Sequence, residues 1–420
     1  MKWFTVEDKI YSIPNIAMTI VKDILKQMPA VRQPQARFLE ILCSTILALR
    51  GHVTLRNLSR YCEYSERTLA RQFRAAFDWV TFHALTCQQV VTPTQVWIVA
   101  QDASFIAKSG KRTFGLGSFF NGCAGRPERG LEISTCALIN VTQRYALACA
   151  VAQTPPERKS AGETSRMTFY ARQIVAQRCR IPAFIKYLAV DGAYAKRGYL
   201  DTVTGGGWQL ITKLRADANC SFLSTTPRRK GQKGRSRKYD GKVNWQDLRR
   251  FELVGTLLDD AQIELYTTRL WHHSLQRELR VVVLVNRHDP AKPRSIVLAS
   301  TNVELDAHTL VESYQARFQI EFLFRDAKQF TGLQDCQMRS QPALDFHFNA
   351  SFATLNLVRV REVLAAHGQP LKVFSLASWK QRNFNERFLQ TIIRKLDLHP
   401  TSIYNHPLYE ELRTYGSIAA

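Results

Sequence analysis

The sequence predicts a mixed α/β protein: a sheet-and-helix core, interrupted by a β-rich insertion, with helical regions at both ends. Three observations lead there. Two short apolar runs of strand length end in an aspartate, QVWIVAQD at Asp102 and FIKYLAVD at Asp191. A second group of strand-like runs lies between residues 216 and 303. The sequence before residue 95 and after residue 303 has mainly helical periodicity.

Residues 1–94 form the first helical region. Gln35 to Arg50 has helical periodicity and stops at Gly51, a suitable residue just past a helix end. The next stretch, TLRNLSRYCEYSERTLARQFRAAF, reads as a helix from Leu55 to Cys62 and a second from about Glu66 to Ala76. Glu63, Tyr64 and Ser65 make the turn, with Ser65 as N-cap. Leu58, Tyr61, Leu69 and Phe73 supply a shared apolar seam, which leaves Arg67, Thr68 and Arg71 facing outward on the second helix. This is a helix-turn-helix outline without the usual turn glycine, and it points to DNA binding. An α-hairpin of any helical domain has the same outline.

Residues 95–215 carry the first part of the core. Val96 to Ala100 is a buried-strand run ending at Gln101-Asp102. Leu131 to Val141 and Tyr145 to Ala152 read as a hairpin joined around Thr142-Gln143-Arg144. A helix over Thr164 to Arg178 follows, then a strand from Phe184 to Val190, a short segment from Gly198 to Gly207, and a strand from Trp208 to Leu214. The insertion, residues 216–303, opens with TPRRKGQKGRSRKYDGK. There Arg228, Arg229, Lys230, Lys233, Arg235, Arg237 and Lys238 sit together with no acid among them, which predicts a loop that touches a phosphate backbone. A solvated loop has the same composition. Strands are expected at Phe251–Leu258, Gln262–Thr268, Leu279–Asn286 and Ser295–Ser300. Residues 304–345 return to the core as a helix, and residues 346–420 form the C-terminal helical region.

Bulk composition narrows the partner. Net charge is +23, from 58 Lys and Arg against 35 Asp and Glu, so a polyanion is expected, with double-stranded DNA the leading choice. Nine scattered cysteines, with no CxxC pair and no Cys/His cluster of zinc spacing, read as reduced thiols in a cytoplasmic protein. The charged start MKWFTVEDKIYSIP does not read as a signal peptide, and no apolar run is long enough to span a membrane.

The acids indicate the chemistry. If the strands ending at Asp102 and Asp191 lie parallel and adjacent, both carboxylates emerge at one sheet edge. The segment Val311 to Phe330 read as one helix places Tyr314, Arg317, Glu321 and Lys328 within an arc of roughly 60°. A solvated charged stripe is the ordinary reading of such a face. The two aspartates upstream favour a site instead: Glu321 packs across the sheet edge, and three carboxylates hold two Mg²⁺ ions, with Mn²⁺ able to substitute. Arg317 and Lys328 then hold neighbouring phosphates.

These residues carry a family resemblance. Tyr314-x2-Arg317-x3-Glu321-x6-Lys328 resembles the Y-(2)-R-(3)-E-(6)-K signature of insertion-sequence DDE transposases of the group-four-like, cut-and-paste branch. The D-G-A-Y of Asp191 to Tyr194 is similar to that family's second-aspartate region. The resemblance implies a ribonuclease-H-like core with Asp102, Asp191 and Glu321 as metal-binding catalytic triad. It also implies DNA contacts by Tyr314, Arg317 and Lys328 near the cleaved end, and a homodimer in the DNA complex. In relatives that excise through a hairpin, an insertion-domain tryptophan holds a flipped base; Trp245 and Trp271 both qualify here. A transposase-derived DNA-binding protein without catalysis and another ribonuclease-H-like nuclease are the alternatives. The complete triad argues against the first, and the long insertion with the helix-turn-helix outline argues against the second.

Overall fold

The computed structural model describes residues 16–157, 165–224, 237–289, 294–371 and 375–418. Five helices come first: α1 (Ile16–Lys26), α2 (Gln33–Ala48), α3 (Leu55–Tyr61), α4 (Glu66–Gln72) and α5 (Trp79–Gln88). Side-chain caps set several of their starts. Thr54 accepts from the Asn57 amide at α3, Ser65 from Thr68 at α4 and Asp78 from Thr81 at α5. The turn and N-cap expected at Ser65 are present, and the second helix of the pair is shorter than expected, ending at Gln72.

Four strands follow: β1 (Trp97–Ala107), β2 (Gly117–Asn121), β3 (Arg126–Asn140) and β4 (Tyr145–Gln153). Next come α6 (Arg166–Gln177), β5 (Tyr187–Val190), a 3₁₀ turn (Gly192–Tyr194), α7 (Arg197–Gly205) and β6 (Gln209–Leu214). In the sheet these run β4–β3–β1–β5–β6. β3 pairs antiparallel with both β1 and β4, whereas β5 pairs parallel with β1 and β6 parallel with β5. This is a ribonuclease-H-like arrangement, as the sequence led us to expect.

The insertion adds β7 (Cys220–Leu223), β8 (Tyr239–Lys242), β9 (Glu252–Leu257), β10 (Asp260–His272), β11 (Arg277–Asn286) and β12 (Arg294–Ser300). These strands do not form a sheet of their own. β12 pairs antiparallel with β6, and the order continues β11–β10–β7–β8, with β9 on the side of β10. Among the described residues twelve strands thus make one continuous sheet. The chain then returns through α8 (Ala307–Ala316), α9 (Gln319–Phe330) and α10 (Gln341–Ala365), and ends in α11 (Leu376–Lys395), α12 (Pro400–Tyr404) and α13 (Tyr409–Thr414).

Strand alternation sorts the core into two sides. Val99, Leu188, Val190 and Leu210 pack with Tyr170 and Ile174 of α6 and Tyr199 and Val203 of α7. Ile98, Ala100, Ala189 and Ile211 pack with Leu310 and Val311 of α8 and Ile320 and Leu323 of α9. α10 contributes to both sides and is buried nearly all round from Ala343 to Val358, carrying His347, Asn349, Ser351, Thr354 and Asn356 among its buried residues. Its Phe346 joins the N-terminal helices to this core, with ring centroids 4.8 Å from Phe73, 5.0 Å from Trp79 and 6.0 Å from Phe38. Among the described residues no helix is long and apolar enough to cross a membrane.

Two expectations need correction. β1 does not stop at Asp102: β3 keeps pairing with it as far as Ala107↔Gly130, so Asp102 lies in mid-strand. The segment Val311 to Phe330 is not one straight helix. It changes pitch at Arg317-Phe318, where Phe318 N–H bonds to Gln315 O (3.2 Å) and Ile320 N–H to Arg317 O (3.0 Å). Both residues keep right-handed helical dihedrals, so the chain tightens locally through i→i−3 bonds rather than reversing.

Candidate functional site

Asp102 and Asp191 meet through strand register. Gln101↔Val190 is the last pair between β1 and β5, and each aspartate stands one residue beyond it. Adjacent strands lie about 4.8 Å apart, so the two backbones are neighbours at this level. Parity fixes the side: Ile98 and Ala100 face α8 and α9, hence so does Asp102, and Ala189 fixes Asp191 likewise. Gly192 lets β5 turn away here, because a Cβ would come within 2.9 Å of Lys213 O. The Asp191 carbonyl accepts from Tyr194 N–H (3.0 Å) and Thr212 Oγ1 (3.2 Å), which pins the turn to β6.

The third acid arrives from α9. Glu321 Oε1 accepts from Arg317 Nη2 at 3.0 Å. The Arg317 guanidinium also lies 5.5 Å from the centroid of the Tyr314 ring. Burial is the largest influence on Asp102 and pushes its carboxyl up to about 6; Glu321 and Asp191 push the same way, against its bond from Ala103 N–H (2.9 Å) and the charge of Arg317. Asp102, Asp191 and Glu321 are therefore within electrostatic reach of one another. Burial also raises Tyr314, and Asp191 and Glu321 add to that while Arg317 opposes it. Arg317 is 9% exposed, and its Nε is buried with no hydrogen-bond partner among the described residues.

The donor chemistry is all oxygen, the type hard divalent cations take. Among the described residues, however, no three His, Cys, Asp or Glu side chains already stand close enough to cage a metal ion. Glu321 is held by Arg317, and Asp102 accepts from the Ala103 amide.

The other expected site residues are scattered. Lys328 is two turns, about 10 Å, beyond Glu321 on α9. Burial pushes its ammonium below the usual lysine range, and its charge neighbour is Cys123, after β2. Arg67 and Arg71 are exposed on α4. Thr68 is half-buried, and its hydroxyl hydrogen-bonds Ser65 Oγ (3.0 Å), so it serves the cap rather than an outward face. Arg228, Arg229, Lys230, Lys233 and Arg235 lie outside the described residues. Arg237 donates to Tyr239 O (2.8 Å), and Lys238 Nζ sits 3.7 Å from the centroid of the Trp271 ring. Trp271 Nε1 is buried without a partner among the described residues, whereas Trp245 Nε1 donates to Ala218 O (3.0 Å).

Sequence reasoning missed what supports Asp102 from behind. Gln101 points to the opposite side of β1 and is fully buried. Its Nε2 donates to Tyr170 O (2.9 Å) and Gln173 Oε1 (3.1 Å), and its Oε1 accepts from Tyr199 O–H (2.6 Å). β1 is thereby tied to α6 and α7 directly beneath the aspartate. The available signal was a glutamine closing an apolar strand run.

A search of curated proteins finds no match. Residues 159–357 match the family profile of the transposase DDE domain, a span that contains Asp191 and Glu321 and begins after Asp102. That match supports a DDE transposase family for this chain.

Proposed function

We propose that the chain is a DNA transposase of the Y-R-E-K, cut-and-paste type, which binds the ends of an insertion sequence and catalyses metal-dependent cleavage and strand transfer. The observation that carries the reading is the register that sets Asp102 beside Asp191 on the side facing Glu321. The match to the transposase DDE domain supports the same conclusion.

In this reading Asp102 and Asp191 are the fixed ligands, held on paired strands. Glu321 is the adjustable one, because a helix side chain leaves its arginine by rotation about its own bonds. Mg²⁺ bound to these carboxylates, or Mn²⁺ in its place, supplies activation of the attacking hydroxyl and charge stabilisation at the leaving oxygen. The carboxylates' mutual repulsion favours a cation at this position. Once Glu321 turns away, Arg317 presents its planar fork to a phosphate. Tyr314 orients that fork. Arg67 and Arg71 on α4, with the basic stretch before β8, contact the duplex. Exposed apolar side chains near the C-terminus, including Phe388, Leu396 and Leu412, support a homodimer in the DNA complex.

The test uses DNA carrying the sequences that flank the reading frame. Asp102→Ala, Asp191→Ala and Glu321→Ala should each lower Mg²⁺-dependent nicking by about 10³-fold or more while end binding persists. Full cleavage by any one variant removes that residue from the triad. A wild-type protein that binds the ends and never cuts with either metal favours the DNA-binding alternative.

A further inference from the structure

Away from the acids, a cleft of about 650 Å³ opens between the segment that follows β1 and the segment between α9 and α10, with His52 and Thr54 on its third wall. Lys108, Lys111, Arg112 and Arg339 line it. Among the described residues none of these four cations has an ion-pair partner within 4.0 Å. The lining holds one acid, Asp335, against these four cations; one of its oxygens meets His52 Nδ1, also in the lining, and the other accepts from Val53 N–H, each at 2.7 Å. A bond from Phe114 N–H to Arg339 O (2.9 Å) holds the two basic segments together. Lys108 is half-buried, and burial pulls its ammonium below the usual lysine range although Cys336 and Asp335 oppose this. The cleft is thus an excess of positive charge with part of its hydration removed.

Such a lining suits a polyanion better than a small apolar ligand, which needs mostly hydrophobic walls. Its position narrows the choice. Thr54 caps α3, so one wall belongs to the α3–α4 helix pair. Another begins at Ala107, five residues beyond Asp102 on β1. At about 3.3 Å per residue that is ~17 Å along the strand, the rise of about five base pairs.

We propose that this cleft holds the phosphodiester backbone of the DNA duplex about five base pairs from the cut, between the contacts of the α3–α4 pair and the acids. The proposal rests on the transposase reading for its substrate.

The test is a salt titration of end binding by the full-length protein, comparing wild type with the triple variant Lys111→Ala/Arg112→Ala/Arg339→Ala. All three side chains are exposed, so the variant should melt like wild type. Each lost phosphate contact lowers the slope of log K against log salt by about 0.9, so the slope should flatten by about 2–3. An unchanged slope overturns the assignment. Position is tested by scanning a haloacetyl group, tethered to a backbone phosphorothioate, along the end duplex against Lys111→Cys. Crosslinking should peak within about two base pairs of the fifth, and a flat profile overturns the placement. Mg²⁺-dependent nicking by wild type is followed in parallel. A protein that binds and never nicks defeats the transposase reading, while the slope still judges the cleft.

Discussion

Asp102→Asn is expected to stabilise the metal-free protein at neutral pH even as it removes a proposed metal ligand. Burial, reinforced by Glu321 and Asp191, pushes the Asp102 carboxyl up to about 6 from its ordinary 3.8. In the unfolded chain it ionises near that ordinary value. Between the two values the folded state therefore keeps a proton that the unfolded state has released, and stability falls as pH rises through this window. At about 1.4 kcal/mol per pH unit the full gap corresponds to about 3 kcal/mol above pH ~6. Asparagine keeps the shape and the acceptor for Ala103 N–H but carries no charge. Urea unfolding in EDTA should show the variant about 2–3 kcal/mol more stable than wild type near pH 8, with the difference gone near pH 4. Adding Mg²⁺ at pH 8 should raise the wild-type midpoint and leave the variant's much less changed. Equal stabilities at both pH values would mean that burial and the neighbouring acids do not hold the Asp102 carboxyl above its ordinary range, and the reasoning would fail.

Two further outcomes follow from the packing. His83 is fully buried between Asn349 Oδ1 and the Asn356 amide, each at 3.2 Å, and burial pushes it down to about 4 from 6.5. It stays neutral in the fold while the unfolded chain takes up a proton, so stability should fall by about 3 kcal/mol as pH drops from 6.5 through 4. His83→Asn should flatten that limb by one proton's slope, and an unaltered slope would exclude His83 as its source. Phe346→Ala removes the ring against which Phe38, Phe73 and Trp79 pack, and should cost about 3–5 kcal/mol in urea unfolding. Far-UV circular dichroism and tryptophan fluorescence should move together, since the helices and the sheet share this core. A loss below about 1 kcal/mol would show that the N-terminal helices do not depend on α10.

Much of the site was legible because its determinants are local. WIVA before Asp102 and LAV before Asp191 are apolar on both faces, as strands covered by helices on both sides must be, and the pairing at Gln101↔Val190 brings the two aspartates level. Ser65 announced the second helix of the α3–α4 pair by its capping chemistry. Other features had no local signature. The tightening at Arg317-Phe318 involves neither glycine nor proline, and its dihedrals stay helical, so periodicity alone reads straight through it. The continuation of β1 past Asp102 is imposed by β3, a partner about thirty residues away in sequence. The polar clamp on Gln101 likewise draws on Tyr170, Gln173 and Tyr199, and no window around Gln101 contains them.

The most consequential of these non-local features is the sheet continuity across the insertion. Asp191 and Glu321 are 130 residues apart, and a free loop of that length would leave the helix poorly placed relative to the strand. The ladder removes that freedom. β5, which ends beside Asp191, pairs with β6; β6 pairs with β12 through Ile211↔Ser300; and residues 301–306 alone separate β12 from α8. Asp306 then caps α8 by accepting from the Thr309 amide at 2.9 Å. The position of Glu321 is thus inherited from the register of the insertion's last strand. A slip of one residue between β6 and β12 would displace the start of α8 by about 3.3 Å and exchange the two faces of β12, both of which are buried from Val297 to Ser300. The buried residues Val297, Leu298 and Ala299 resist that slip, so the insertion helps to set the geometry of the acids as well as extending the sheet.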